Sequence, residues 1–475
     1  MPEQFLHGVE VVEIDDGPRP IRTVKSSIIG LVGTAPRGPV NTPVLIAGSL
    51  SEAVTQFGDV GGGFSIPEAL NGIFDQTGAM VVVINVADPA NAGHITAVPA
   101  ANVPFTAGDI IDLGHRTVSA VSVKSTDGET TYVAGTDYDV DAYTGIITRR
   151  LTGTIEAAAT VKVAYSYLDA SKVTTSDVIG GVDEATGAYE GVYGLLAAQS
   201  VVKVQPRILC APRFTHQRPV DDEMVLANPV VAELLGIANR LRAVIIADGP
   251  NTNDADAIDY REDFGSARLF VVDPWVKVWD TATDSAMDQP ASARVAGMIA
   301  RSDNERGFWW SPSNLEMYGI VGTSRAVDFV LGDTNCRANY LNENEVATII
   351  QEDGYRLWGN RTCSSDPKWA FLSVRRTADM INDSIMRGHM WAVDRSITKT
   401  YIKDVTEGVN DYLRSLKVQG ALINGSCWAD PELNTPDQIS QGKVYFDFDF
   451  TPPYPAEHIT FRSRMVNDYL EELFA

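Results

Sequence analysis

A chain of 475 residues, 44% hydrophobic and 21% charged, has room for two to four domains of roughly 150 residues and a sizeable core. Its 38 Lys and Arg stand against 62 Asp and Glu, and the formal net charge of −24 excludes a general nucleic-acid binder built on a basic footprint. The longest apolar runs fall far short of a membrane span and no basic-then-apolar leader opens the chain, so folding in a cytoplasm is expected.

Taken in order, residues 8–14 (GVEVVEI) read as a short strand, and Pro18 and Pro20 then bias the chain toward an extended arm. Ser27–Val32 reads as a buried strand entering the loop GTAPRGP. As a phosphate cradle that loop fails: it has no Gly-Lys-Ser/Thr ending, and Pro36 and Pro39 lack amides. A strand at Val44–Ala47, a helix begun at Ser49 or Ser51, a second helix over Pro67–Gln76 and the apolar run MVVVINV follow, the last suiting a parallel sheet buried on both faces.

Composition changes between about 95 and 178, where β-branched runs at Thr117–Val123, Thr130–Val133, Gly145–Thr148 and Thr160–Tyr167 are separated by turn signals. This segment reads as a small all-β domain inserted into an α/β one. From Asp183 the α/β rhythm resumes. Helices are expected at Ala188–Ser200, Val220–Leu241, Asp254–Phe264 and Ala291–Arg301, and strands at Arg207–Cys210, Ala243–Ala247 and Arg268–Val272. The fold class is therefore α/β (α+β) with a largely parallel sheet.

The carboxyl ends of such strands are where an enzyme site would sit, which makes Asp248 and Asp273 the enzyme candidates. Both stand in Asp-Gly-Pro or Asp-Pro turns, where Asp is common for its local hydrogen bonds, and the turn reading outweighs the catalytic one. No nucleophile elbow or zinc-helix motif appears, the six histidines lack ligand spacing, and Cys210, Cys336, Cys363 and Cys427 form no metal or redox motif. Neither catalysis nor a cofactor or metal is expected.

A helix is read over Ser396–Lys417 from the stripe Ile397, Tyr401, Val405, Val409, Tyr412 and Leu416, with Arg395, Lys399 and Lys403 as a separate cationic row. Residues 355–417 hold eleven Lys and Arg against seven Asp and Glu, so this is either a face for an acidic partner or an ordinary solvated surface. Near the end, Val444, Phe446, Phe448 and Phe450 alternate with Tyr445, Asp447 and Asp449, a strand with one apolar and one polar face. Pro452, Pro453 and Pro455 then forbid ladder pairing, before a second alternation at Ile459 and Phe461 and an amphipathic tail over Val466–Phe474. The pattern allows two readings: a strand that leaves its own domain, or a last core strand followed by a surface loop.

Three stretches resemble the tail sheath proteins of contractile phage tails and R-type pyocin-like particles: the opening FLHGVEVVEIDDG…GLVGTAPRGP, the segment DGYRLWGNRTCSSDPKWAFLSVRRTADMINDSI, and KVYFDFDFTPPYPAEHITFRSRM. The resemblance implies a non-enzymatic subunit that polymerises as stacked hexameric rings around a tail tube, contracts, and meets baseplate and tail-terminator proteins. It implies assembly in a host cytoplasm into a virion tail, without direct nucleic-acid binding or membrane insertion; a bacterial injection system or pyocin is the alternative machine. It further implies exchanged arms. Val9, Val11, Ile14, Val444, Phe446, Phe448 and Phe450 are expected as inter-subunit strands. Pro18, Pro20, Pro452, Pro453 and Pro455 would form the hinges, and Arg395, Lys399 and Lys403 a tube-facing row. The expected division is an N-terminal arm (1–26), a main domain (27–94 and 179–442) interrupted by the β-rich outer domain (95–178), and a C-terminal arm and tail (443–475).

Overall fold

The computed structural model describes residues 20–474 apart from 107, 223 and 282; the expected arm residues Val9, Val11 and Ile14 and the hinge Pro18 lie outside the described residues. Eight strands form one sheet in the order Val44–Ala47, Met80–Asn85, Ile28–Gly33, Ile208–Cys210, Val244–Asp248, Leu269–Val272, Val346–Gln351 and Tyr355–Trp358. The inner six run parallel to their neighbours, and the two outermost pair antiparallel, so the sheet is mixed.

Period-2 alternation sends successive strand residues to opposite faces. Ile29, Leu31, Ile246 and Phe270 pack on one face with Leu70 and Ile73 of the helix Ser65–Gln76 and with Val295 and Ile299 of the helix Ser292–Glu305. Val32, Ile245 and Val271 pack on the other with Leu234 and Ile237 of the helix Pro229–Leu241. Both faces are covered, which is why the inner strands read as unbroken apolar runs.

Several boundaries differ from the sequence reading. The helix expected over Val220–Leu241 begins only at Pro229, because Asn228 caps it by accepting from Val231 N–H at 2.9 Å while Val220–Asp221 and Met224–Val225 pair as a two-stranded ladder. The helix expected from Ala188 begins as a single 3-10 turn at Gly191 and continues as Gly194–Val201. Between 95 and 168 six strands build two three-stranded antiparallel sheets around Val123, Ile147, Val161 and Val163. Ile95–Pro104, Ile110–Asp112 and Tyr138–Asp141 were not anticipated there, and Thr130–Val133 holds only an isolated bridge at Thr131.

The chain closes with a helical pair, Leu372–Gly388 and Lys399–Gln419, and a two-stranded antiparallel hairpin, Asn424–Ala429 with Phe446–Thr451. Residues 21–26 lie against this unit: Ile21 and Val24 join its core, and Val24 N–H donates to Ser384 Oγ at 3.0 Å. Among the described residues no helix is long and apolar enough to cross a membrane.

Candidate functional site

Asp248 and Asp273 do lie together at the carboxyl edge of the sheet, and both are fully buried. Asp248 caps a helix in space: Ser292 N–H donates to Oδ1 at 2.8 Å and the Ser292 hydroxyl donates to Oδ2. Burial pushes its carboxyl up to about 6. Asp273 accepts from Asn251 N–H at 2.8 Å and pairs with Arg325, which also holds Asp254. Burial raises its carboxyl, and the Arg325 charge opposes that rise. The oxygens of both acids are engaged by partners distant in sequence, a helix start and an arginine, where the turn reading expected local hydrogen bonds.

The GTAPRGP loop also serves the fold. Thr34 N–H donates to Ser65 Oγ at 3.0 Å, and Ala35 N–H donates to Asn85 Oδ1 at 2.8 Å. A Cβ on Gly33 would sit 2.3 Å from Ser65 Oγ and would displace the hydroxyl that accepts from Thr34 N–H. The four cysteines are buried and free, and among the described residues no cluster of His, Cys, Asp or Glu could hold a metal. His94 is buried too, its Nδ1 accepting from Asp88 N–H at 3.0 Å.

The basic stretch resolves into two populations. Arg376 pairs with Asp303 at 2.6 Å and Arg375 with Asp379 at 2.7 Å, both largely covered, while the exposed Arg387 reaches in to Asp383 at 2.9 Å. Asp383 also holds Arg207 and Asp379 holds Arg268, each arginine just preceding a strand of the main sheet. The helix Leu372–Gly388 is thereby sewn to the amino edge of the sheet by buried ion pairs. The second population is the exposed row Arg395, Lys399 and Lys403. Only the lysines are helical, because Thr398 caps the helix by accepting from Tyr401 N–H at 3.1 Å and leaves Arg395 on the preceding loop, donating to the Trp391 carbonyl. Lys399 and Lys403 border an open groove of about 600 Å³ lined also by Ile397, Ile402 and Ile439, with Glu407 lying 3.6 Å from Lys403.

The terminal strand pairs within its own chain. Phe446, Phe448 and Phe450 oppose Ala429, Cys427 and Gly425 and pack over Val409, Tyr412 and Leu416 of the long helix. Asp447 and Asp449 occupy the other face, as the alternation required. Val444 falls outside the ladder, where Asn434 Oδ1 accepts from Tyr445 N–H at 2.8 Å and Asn434 Nδ2 donates to the Tyr445 carbonyl at 2.7 Å.

The hairpin's two edges are not alike. At the middle of Asn424–Ala429 the Asn410 amide takes both backbone groups of Cys427, accepting from its N–H and donating to its carbonyl, each at 2.9 Å. Along Phe446–Thr451 no further strand is paired among the described residues. Past it, the prolines form an anchored root: Pro452 is buried, Tyr454 meets Phe371 edge to face at 6.3 Å, and Glu457 forms a two-pronged pair with Arg361 at 2.6 and 2.7 Å. Beyond Glu457, Ile459 is 66%, Phe461 92% and Met465 97% exposed, which is unusual for side chains of this kind. Sequence reasoning marked these apolar residues; Arg361 and Glu457, 96 positions apart, gave no local signal.

Family models match nearly the whole chain. The phage tail sheath C-terminal domain covers 364–466, the phage tail sheath protein central domain 172–363, and the tail sheath protein Gp18 domain III N-terminal region 26–86; a family of unknown function covers 86–177. A Pseudomonas aeruginosa protein named for a prophage major tail sheath is 40% identical over 99% of this chain and 98% of its own. The tail sheath protein of Burkholderia phage BcepMu is 38% identical and that of Escherichia phage P2 32%, again over 99% of this chain and 98% of each relative. The contracted helical sheath of the anti-feeding prophage shares the fold at a TM-score of 0.59 and 18% identity, covering 98% of this chain and 100% of that one.

Proposed function

The chain belongs to the phage tail sheath protein family, and from that premise we propose how its geometry serves as a contractile-sheath subunit. Copies stack as hexameric rings around a tail tube, bounded by baseplate and tail-terminator proteins, in a virion tail assembled in the host cytoplasm. A viral tail is preferred to an injection system because the full-length relatives carry phage and prophage names. The role is mechanical, with no catalytic function assigned to Asp248 or Asp273.

The observation that carries this reading is the hairpin whose strand Phe446–Thr451 has an edge unpaired among the described residues, in the same chain as a tail whose apolar residues face solvent. An open edge and an extended segment are the two halves of β-augmentation, in which backbone hydrogen bonds provide affinity and alternate side chains set register. We assign the acceptor to Phe446–Thr451 and the donor to the segment after Glu457. The flexing point then follows Glu457, since Pro452, Pro453 and Pro455 belong to the anchored root. Val9–Ile14, with Pro18 and Pro20, remains proposed as a second exchanged arm. The segment 95–178 is proposed as a β-rich domain carried on the main body, to which Arg116 ties it through Asp59 at 2.7 Å.

Contraction then moves each subunit as a body while exchanged strands keep neighbours connected. Arg395, Lys399 and Lys403 are proposed to face the tube. Lys399→Glu with Lys403→Glu should lower tube-dependent polymerisation several-fold; unchanged polymerisation would remove that assignment. The function itself is tested by negative-stain electron microscopy of the concentrated protein, where hollow ribbed cylinders of uniform width are expected.

A further inference from the structure

The tail and the open edge carry opposite charge at matching intervals. On the hairpin, Asp447 and Asp449 stand two residues apart on the outward face, and among the described residues neither is paired with a cation. Partial burial and the neighbouring Asp430 carboxyl both raise the proton affinity of Asp447, as expected where anions meet without a counter-charge. On the tail, Arg462 and Arg464 are likewise two apart, exposed and without an ion pair among the described residues. The flanking Phe461 and Met465 have the opposite parity, as Phe446, Phe448 and Phe450 have on the hairpin.

We propose that Arg462 and Arg464 of one subunit set the register of its tail strand on a second copy by lying beside Asp447 and Asp449 of that copy. The proposal rests on the strand-exchange reading and adds its specificity code. Equal spacing makes the match independent of strand direction. In either direction Ser463 falls opposite Phe448, while Phe461 and Met465 fall opposite Phe446 and Phe450, so apolar side chains share one face and ion pairs the other. A slip of one residue would turn Phe461 and Met465 outward and the arginines toward the apolar core. The sequence Val9–Ile14 fits this edge less well, because it carries Glu10 and Glu13 and no cation.

The test uses the full chain and reads the concentration at which sleeves form. Arg462→Asp with Arg464→Asp is expected to raise that threshold on the order of tenfold, and Asp447→Lys with Asp449→Lys to match it. Combining all four should restore the original threshold. No change on reversing either strand, or a four-site chain no better than the two-site chains, would overturn the pairing. Asp449 also accepts from Ser426 N–H at 2.9 Å, so Asp447→Lys alone provides a gentler hairpin variant whose threshold should also rise. Unfolding temperatures of the dilute tail variant and of Asp447→Lys should equal that of the parent, since neither removes a hydrogen bond to Ser426; a lowered temperature with an unchanged threshold in these two would put the contact inside one subunit and sink the proposal. Removing residues 458–475 separates the two levels of the argument. If that chain still forms sleeves, strand exchange itself fails. If it does not, while charge reversal has no effect, exchange stands and the charge code falls.

Discussion

The seam between the helix Leu372–Gly388 and the sheet differs from the terminal hairpin in how each treats its charge. Along the seam every acid named is matched: Asp379 with Arg268 and Arg375, Asp383 with Arg207 and Arg387, Asp303 with Arg376. On the hairpin, among the described residues, Asp447 and Asp449 lack cations, the edge of their strand is unpaired, and the apolar residues of the following tail are exposed. Buried charge is tolerable only where it is paired, so the seam belongs to a structure complete within one chain. The hairpin keeps an open edge among the described residues, where the proposed exchange would add a strand. Under that proposal the difference separates what stays rigid during contraction from what connects one subunit to the next.

Breaking the seam should have the largest effect. Asp383→Ala leaves the buried Arg207 without its partner, and loss of about 3–5 kcal/mol of stability is expected in chemical unfolding; a change under about 1 kcal/mol would mean the seam is not the closed unit described. Truncation sharpens the contrast. Cutting at residue 443 removes Phe446, Phe448 and Phe450 from Val409, Tyr412 and Leu416, and at about 1.5 kcal/mol or more per large side chain it should destabilise by roughly 3 kcal/mol or more. Cutting after Glu457 instead should leave monomer unfolding within about 0.5 kcal/mol of the parent.

A pH titration probes the sheet edge. The folded Asp248 carboxyl is pushed up to about 6, whereas an unfolded Asp titrates near about 3.9. The fold therefore binds this proton more tightly than the unfolded chain, and the associated stability is present below about pH 4 and lost as pH rises through about 6. The stability of the parent relative to Asp248→Asn should fall by roughly 3 kcal/mol across that window, and a flat difference would contradict the buried-cap description. Among the substitutions the smallest effect is expected of Arg361→Ala, which removes a half-exposed pair and should cost under about 1 kcal/mol in thermal unfolding.

What could be read in the sequence follows from which interactions are local. Runs such as MVVVINV announced strands buried on both faces, and the alternation at Phe446–Phe450 announced its two faces before any partner was known. The partner strand, NGSCWA, was invisible because Asn, Gly and Ser have little strand preference, so the pattern left open a strand that leaves its domain or a last core strand, and only the family resemblance made it an arm. The structure keeps that strand at home and exposes the next segment. Ile95–Pro104 was missed because Pro99 and Pro104 interrupt it. At the sheet edge the positions of Asp248 and Asp273 were legible, but not the role of Asp248, since Ser292 lies 44 residues away. Eleven cations against seven anions suggested a basic face; distant partners such as Asp303, 73 residues from Arg376, had already claimed several of them.

The most direct measurement is electron microscopy of two purified chains side by side, the full protein and the protein lacking residues 458–475. Hollow ribbed cylinders from the first and only small uniform particles from the second are the predicted outcome. Small particles from the full chain at every concentration and salt, or cylinders from both, would contradict a sheath closed by its neighbours' strands.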